Sequence, residues 1–140
     1  MPGPAIRTDI VELYLFRRPE RPVGPRGIEL LQLQRPAGQS LGGTWQPVMG
    51  HVRQGEAAAA AALRELGEET GFTACDLLGF WQLEEPSCYF MHSGEAIVLS
   101  PGFAAEVAPE AEPTLPADQA GYRWVERARV DRAFLWPGQR

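Results

Sequence analysis

Between Gly50 and Phe72 the chain carries Glu56, Arg64, Glu65, Glu68 and Glu69, framed by glycines. Glu65, Glu68 and Glu69 stand at i, i+3 and i+4, the spacing that sets side chains along one face of an α-helix. Like charges so arranged repel by roughly 0.2–0.5 kcal/mol per exposed pair. Such a cluster is most useful where a divalent cation neutralises it. A hard, all-oxygen set suits Mg²⁺, which keeps several waters and shares a phosphate of a bound substrate. The alternative is a solvated helical surface, which is what most Glu-rich faces are.

The elements around these residues follow from local chemistry. The alanine run 57–62 has the highest intrinsic helix propensity, and Ala59, Ala62, Leu63 and Leu66 recur at the spacing of a core-facing stripe. Glu65, Glu68 and Glu69 then point away from that stripe, toward water or a cleft. Gly71 is the expected left-handed stop, and Gly55 marks the loop that enters the helix. Before the helix, residues 9–16 (DIVELYLF) and 28–34 (IELLQLQ) read as strands. Residues 44–49 (TWQPVM) read as a short strand with an irregularity at Pro47.

Beyond the helix, residues 77–83 (LLGFWQL), 96–99 (AIVL) and 121–125 (GYRWV) are strand candidates. Residues 1–6 are expected to fray and 17–27 to form a loop or open hairpin connection. Residues 101–116, rich in Pro, Ala and Glu, are expected to be a long mobile loop. A short helix is expected over 126–134, broken by Pro137 and Gly138. Strands, one central helix and more strands imply an α+β sandwich with a mixed sheet.

Composition narrows the partners. At 140 residues the chain is expected to be one domain, with 44% hydrophobic and 22% charged residues, ordinary values for a globular protein. A net charge of −5 offers no broad cationic field for nucleic acid or an anionic membrane. All 13 basic residues are arginine; Arg suits phosphate, but so uniform a choice reads as compositional bias. Cys75 and Cys88 make no CxxC pair, and His51 and His92 are too isolated for a zinc site. No leader or membrane span is apparent, so a reducing cytoplasm is the expected setting.

The segment 50–72 resembles the signature of the Nudix hydrolases, G-x5-E-x7-R-E-U-x-E-E-x-G-U, where U is a bulky apolar residue. Gly50, Glu56, Arg64, Glu65, Leu66, Glu68, Glu69, Gly71 and Phe72 occupy all of its fixed positions. The resemblance implies an α/β/α sandwich with a mixed β-sheet and the catalytic loop-helix, as a single domain over 1–140 with 1–8 flexible. The C-terminal helix usual to that fold is expected to be absent or cut short near Arg140. It implies an enzyme that uses Mg²⁺, or Mn²⁺ as a substitute, to hydrolyse a pyrophosphate bond in a nucleoside-diphosphate-linked substrate.

Carried over residue by residue, the resemblance makes Glu65 and Glu69 the principal metal ligands. Glu68 would bind a second metal or help activate the nucleophile, and the Gly50 carbonyl would be a further ligand. Arg64 and Glu56 would brace loop to helix, with Gly55 and Gly71 as backbone punctuation. A general base would lie outside the signature, and Glu95, Asp118 and Glu112 are the candidates, the first two ranking above the third.

The flanks LLQLQRP, TWQPVMGHV and DQAGYRWVERARVDRAF resemble the dihydroneopterin triphosphate and deoxynucleoside triphosphate pyrophosphohydrolases. Relatives carry an acidic residue then His upstream of the Y-R-W segment; here Asp118 is followed by Gln119, a departure. Trp45 is a candidate to stack on a purine or pterin ring, or a strand Trp in the core. Arg35 and Arg53 are candidates to meet phosphates, and Trp124 reads as core. The expected partner is a small nucleotide or pterin polyphosphate, with no nucleic acid polymer and no membrane, the protein being a monomer or homodimer. The alternatives are a nucleotide-sugar or dinucleotide pyrophosphatase, or a non-catalytic nucleotide-binding module of the same fold.

Overall fold

The computed structural model of the chain describes residues 2–20, 27–39 and 41–130. In chain order its strands are β1 (Ala5–Arg7), β2 (Ile10–Arg17), β3 (Glu29–Gln34), β4 (Trp45–Gln46) and β5 (Val48–His51). After the helix α1 (Ala58–Thr70) come β6 (Gly79–Gln82), β7 (Ser87–Met91), β8 (Ala96–Ser100), β9 (Gly102–Val107) and β10 (Gly121–Glu126). The larger sheet has the order β10-β3-β2-β9-β6, with β4 alongside β3 and β5 alongside β2. A smaller sheet has the order β1-β8-β7. Both are mixed: β2 runs parallel to β9 and β1 parallel to β8, while the other pairings are antiparallel. The fold is the α+β class expected.

Period-two alternation on β2 sends Val11, Leu13 and Leu15 to one face, where Leu31 and Leu33 of β3 and Phe103, Ala105 and Val107 of β9 join them. Onto this face α1 lays Ala61, Ala62 and Leu66, all buried. Small alanines let the helix axis lie close to the sheet, which sets how deeply the glutamates on its flank sit. The stripe is shifted from the expected one: Ala61 and Thr70 are buried, whereas Ala59 and Leu63 pack at its margin. Thr70 is tolerated inside because its hydroxyl donates to the Leu66 carbonyl at 2.6 Å.

Pro47 splits the chain between two partners. With no N–H to donate, it ends β4, which pairs with β3, and releases β5 to pair with β2. The helix stops at Gly71, whose φ of 77° is left-handed and whose N–H returns to the Gly67 carbonyl.

Two expectations are corrected and one unassigned segment proves to be a strand. Residues 102–107 are no mobile loop: β9 lies between β2 and β6, with Phe103, Ala105 and Val107 inside. Ala5–Arg7, expected to be frayed, pair in parallel with β8. Ser87–Met91, to which no element was assigned, form an edge of the small sheet. Each depends on a partner far away in sequence, which supplies the hydrogen bonds that local composition does not announce. Of the helix expected over 126–134, the described part is a 3-10 turn at Arg127–Arg129; the remainder, with Trp136 and any C-terminal helix, lies outside the described residues. Among the described residues no helix is long and apolar enough to cross a membrane.

Candidate active site

Arg64 organises the loop that leads into α1. Its Nε and Nη2 donate to the two oxygens of Glu56, each at 2.9 Å. Nη2 also reaches the His51 carbonyl at 2.7 Å, and Nη1 reaches Glu65 Oε1 at 2.9 Å. The hydrogen bonds from Arg64, joined by the Arg53 backbone N–H, hold the Glu56 carboxyl down to about 2. Those same bonds raise Arg64 further above its ordinary value. One guanidinium thus ties residues 51 and 56 to the middle of the helix. Glu56 itself precedes the first turn of α1, whose first turn contains no acid; its charge is directed to Arg64 instead.

The glutamates of α1 have three different surroundings. Glu68 is exposed and lies near two arginines, 3.4 Å from Arg64 and 3.5 Å from Arg53. Glu65 is tucked against Gly50 so closely that a Cβ at that position would overlap its Cγ and Cδ. Glu69 has its Oε2 shut away from solvent and without a hydrogen-bond partner. Burial, then the charge of Glu65, pushes Glu69 up to about 8, despite a hydrogen bond from the Met49 backbone N–H.

Glu69 and Gly50 open onto a cleft of about 390 Å³ at the rim of the two sheets. Arg35, Trp45, Met49 and Asp118 line it from the larger sheet and its loops, and Tyr89 and Met91 from β7. The structure therefore gathers Glu69, Gly50, Trp45, Arg35 and Asp118 around one space. Arg35 donates from Nη1 to Gln46 at 3.0 Å, which fixes its head at the wall. Gln119, the departure next to Asp118, lines the cleft as well.

Other candidates stand elsewhere. Arg53 is not among the cleft-lining residues, and its guanidinium pairs with Glu68. Glu95 is exposed at the left-handed end of a turn, away from the cleft lining. Glu112 accepts from Arg17, Tyr122 and Trp124; burial raises its carboxyl, but these bonds outweigh burial and hold it below the ordinary value. Trp124 packs at the edge of the core, beneath the Arg17 guanidinium.

Sequence reasoning missed Tyr89, Met49, Met91 and His51 in the cleft wall. The alternating SCYFM of β7 was the available signal for Tyr89 and Met91. It also missed Glu12, read simply as part of an apolar strand. Glu12 is fully buried on β2 and accepts from the Tyr14 hydroxyl at 2.7 Å and the Ser87 hydroxyl at 2.9 Å. Burial, then the Glu12 charge, pushes the neighbouring Tyr89 up to about 12.

The helix laid on the larger sheet, its Arg-braced loop and the cleft beside them have a counterpart in known proteins. The NUDIX domain family model matches residues 14–140. This chain belongs to the Nudix family. Among solved structures, the Escherichia coli dihydroneopterin triphosphate pyrophosphohydrolase superposes with a TM-score of 0.75 at 18% identity, covering 98% of this chain and 92% of that one. A Caenorhabditis elegans Ap4A hydrolase superposes with a TM-score of 0.71 at 22% identity, covering 91% and 85%. At these identities the likeness is one of fold. Among curated proteins, an octanoyltransferase of Myxococcus xanthus is 36% identical over 107 residues. The chain spans 28% of that protein's length.

Nudix chemistry implies a divalent metal, and the donor set can be tested against one. Among the described residues no three Asp, Glu, His or Cys side chains form a ready metal cage; Arg64 lies among Glu56, Glu65 and Glu68 and neutralises them. Two features nevertheless fit a cation. The Glu69 Oε2 is buried with no hydrogen-bond partner. Gly50 has no Cβ where one would collide with Glu65, so Glu65, itself outside the cleft lining, packs against the backbone of a residue that lines the cleft beside Glu69. A hard oxygen-bound ion suits this set.

Proposed function

We propose that this Nudix protein is a Mg²⁺-dependent pyrophosphohydrolase acting on a small nucleotide-like polyphosphate, with a (deoxy)nucleoside triphosphate or dihydroneopterin triphosphate as the preferred substrate class. The observation that carries the reading is the orphaned, buried Oε2 of Glu69 at the wall of a cleft large enough for a nucleotide. A carboxylate oxygen shut away from water and given no donor is costly unless a cation or a proton completes it.

In this reading Glu69, Glu65 and the Gly50 carbonyl hold Mg²⁺, with Glu68 at the solvent side serving a second ion or the nucleophile, and Mn²⁺ as a substitute. When bound, the metal neutralises phosphate oxygens and lowers the pKa of a coordinated water. Arg35 provides a fixed positive charge beside the phosphates. Asp118, the candidate acid that lines the cleft, is the group we favour for accepting the proton of the attacking water. Trp45 and Tyr89 offer aromatic surface for the ring of the substrate. Water adds to phosphorus and the anhydride bond breaks, so the products are pyrophosphate and the corresponding phosphate monoester. One domain acting as a monomer or homodimer suffices for this chemistry, and a cytoplasm supplied with Mg²⁺ and nucleotides suits it.

The test is incubation with Mg²⁺ and a panel of nucleoside triphosphates, dihydroneopterin triphosphate, nucleotide sugars and dinucleoside polyphosphates, with products read by mass. Pyrophosphate release that stops with chelator supports the preferred class. Paired monophosphates would move the assignment to nucleotide sugars or dinucleotides. Mg²⁺-dependent binding with no turnover would make the protein a sensor.

A further inference from the structure

We propose that Arg123 is a positioning residue that holds the Trp45 indole as a stacking plate for the aromatic ring of a substrate. This rests on the reading above, in which the cleft receives a ring-bearing polyphosphate.

Arg123 on β10 lies directly opposite Gln32 of β3, and Trp45 on β4 lies directly opposite Gln34 on the other edge of the same strand. Opposed residues share a face, as do positions 32 and 34. Arg123 and Trp45 therefore project from one face of the larger sheet on either side of β3. Gly121, the other partner of Gln34, sets no side chain between them.

The contact is close. The Arg123 guanidinium lies 4.0 Å from the Trp45 ring centroid, and its Nε donates to Gln32 Oε1 at 2.6 Å. Gln32 is fully buried, so the guanidinium is pinned at one side by an amide that cannot swing away. Trp45 lines the cleft and Arg123 does not. The arginine thus acts on the cleft through the ring it covers.

Two consequences follow. A guanidinium over one π-face is attracted to the ring quadrupole and restricts the indole to one orientation. The ordering cost of presenting a flat apolar plate is then met before a ligand arrives. Withdrawal of charge toward the cation also leaves the indole better matched to an electron-rich ring such as guanine. A ring-free polyphosphate gains nothing from this arrangement, which makes Arg123 a determinant of ring recognition.

The experiment uses neopterin and guanosine, which have rings and no phosphate, and inorganic tripolyphosphate, which has the reverse. Affinities are measured by calorimetry for the wild type, Arg123→Met, Arg123→Lys, Trp45→Leu and the Arg123→Met/Trp45→Leu double variant. Arg123 is exposed but its partner Gln32 is buried, so melting curves are used to verify that each variant is folded before its affinities are compared. Arg123→Met is expected to weaken ring binding roughly three- to tenfold, with Arg123→Lys recovering part of the loss. The double variant should bind rings no more weakly than Trp45→Leu alone, and tripolyphosphate affinity should be unchanged throughout. Wild-type ring affinity in folded Arg123→Met, losses that add independently, or no ring binding by the wild type would each overturn the proposal. Hydrolysis measured in parallel separates the two readings. Turnover without an Arg123 effect on rings removes the plate and leaves the hydrolase; Arg123-dependent ring binding without turnover does the opposite.

Discussion

Arg64 grips Glu56 at two points, Nε to Oε2 and Nη2 to Oε1, each at 2.9 Å, across eight residues of chain. The pair closes the loop over the start of α1 and leaves Nη1 free to reach Glu65 at 2.9 Å. Loop shape and glutamate placement thereby depend on one guanidinium. A planar fork makes this possible, and a lysine ammonium cannot reproduce it.

The grip has a pH signature. The Arg64 hydrogen bonds hold Glu56 at about 2, below its ordinary 4.5. A carboxyl depressed in the folded state contributes stability that is complete above its unfolded value and is lost as pH falls through the folded one. Melting temperature of the wild type should therefore fall relative to Glu56→Gln as pH drops from about 4.5 toward 2. Parallel curves for the two proteins would show that the pair does not stabilise the loop. Arg64→Lys should lower activity roughly 10- to 100-fold, as removing an orienting partner of a metal-site ligand commonly does.

Gly50→Ala tests the convergence of backbone and carboxylate. The new Cβ would overlap the Glu65 side chain, so either Glu65 swings away or β5 shifts. Kinetics should record a loss of on the order of a hundredfold in kcat/KM, from misplacement near 1 Å. Circular dichroism should remain that of the folded protein. Wild-type activity in Gly50→Ala would mean that the close approach has no role.

Glu69 predicts a second, opposite pH dependence. Burial raises it to about 8 from an ordinary 4.5. Between those values the folded, metal-free protein retains a proton that the unfolded chain has released, so its stability falls as pH rises through that window. Glu69→Gln should flatten the fall. Calorimetric titration with Mg²⁺ near neutral pH, in buffers of different ionisation heat, should detect proton release in the wild type and none in the variant. Equal proton release by both would place the titrating group elsewhere.

The site was more readable from sequence than the sheets around it. Glu56, Arg64, Glu65 and Glu69 lie within one loop and helix, where side-chain placement follows from local periodicity. Asp118, Arg35 and Trp45 came from flanking resemblance, and their meeting around one cleft needed the fold. The strand β9 was hidden because Gly-Phe-Ala-Ala-Glu-Val between prolines has little intrinsic strand preference; pairing with β2 and β6 supplies it. Tyr89 was hidden with β7. The role of Glu12 could not be read because one of its partners, Ser87, is 75 residues away.

Glu69 is the residue proposed to hold the catalytic divalent cation. The direct measurement compares kcat/KM of wild type and Glu69→Gln for the substrate identified by product analysis, with Mg²⁺ and with chelator, after melting curves confirm that both are folded. Loss of roughly a thousandfold in the variant, matched by loss in wild type under chelation, is the predicted result. A folded Glu69→Gln protein that turns over substrate at the wild-type rate, or wild-type turnover indifferent to chelator, would contradict it.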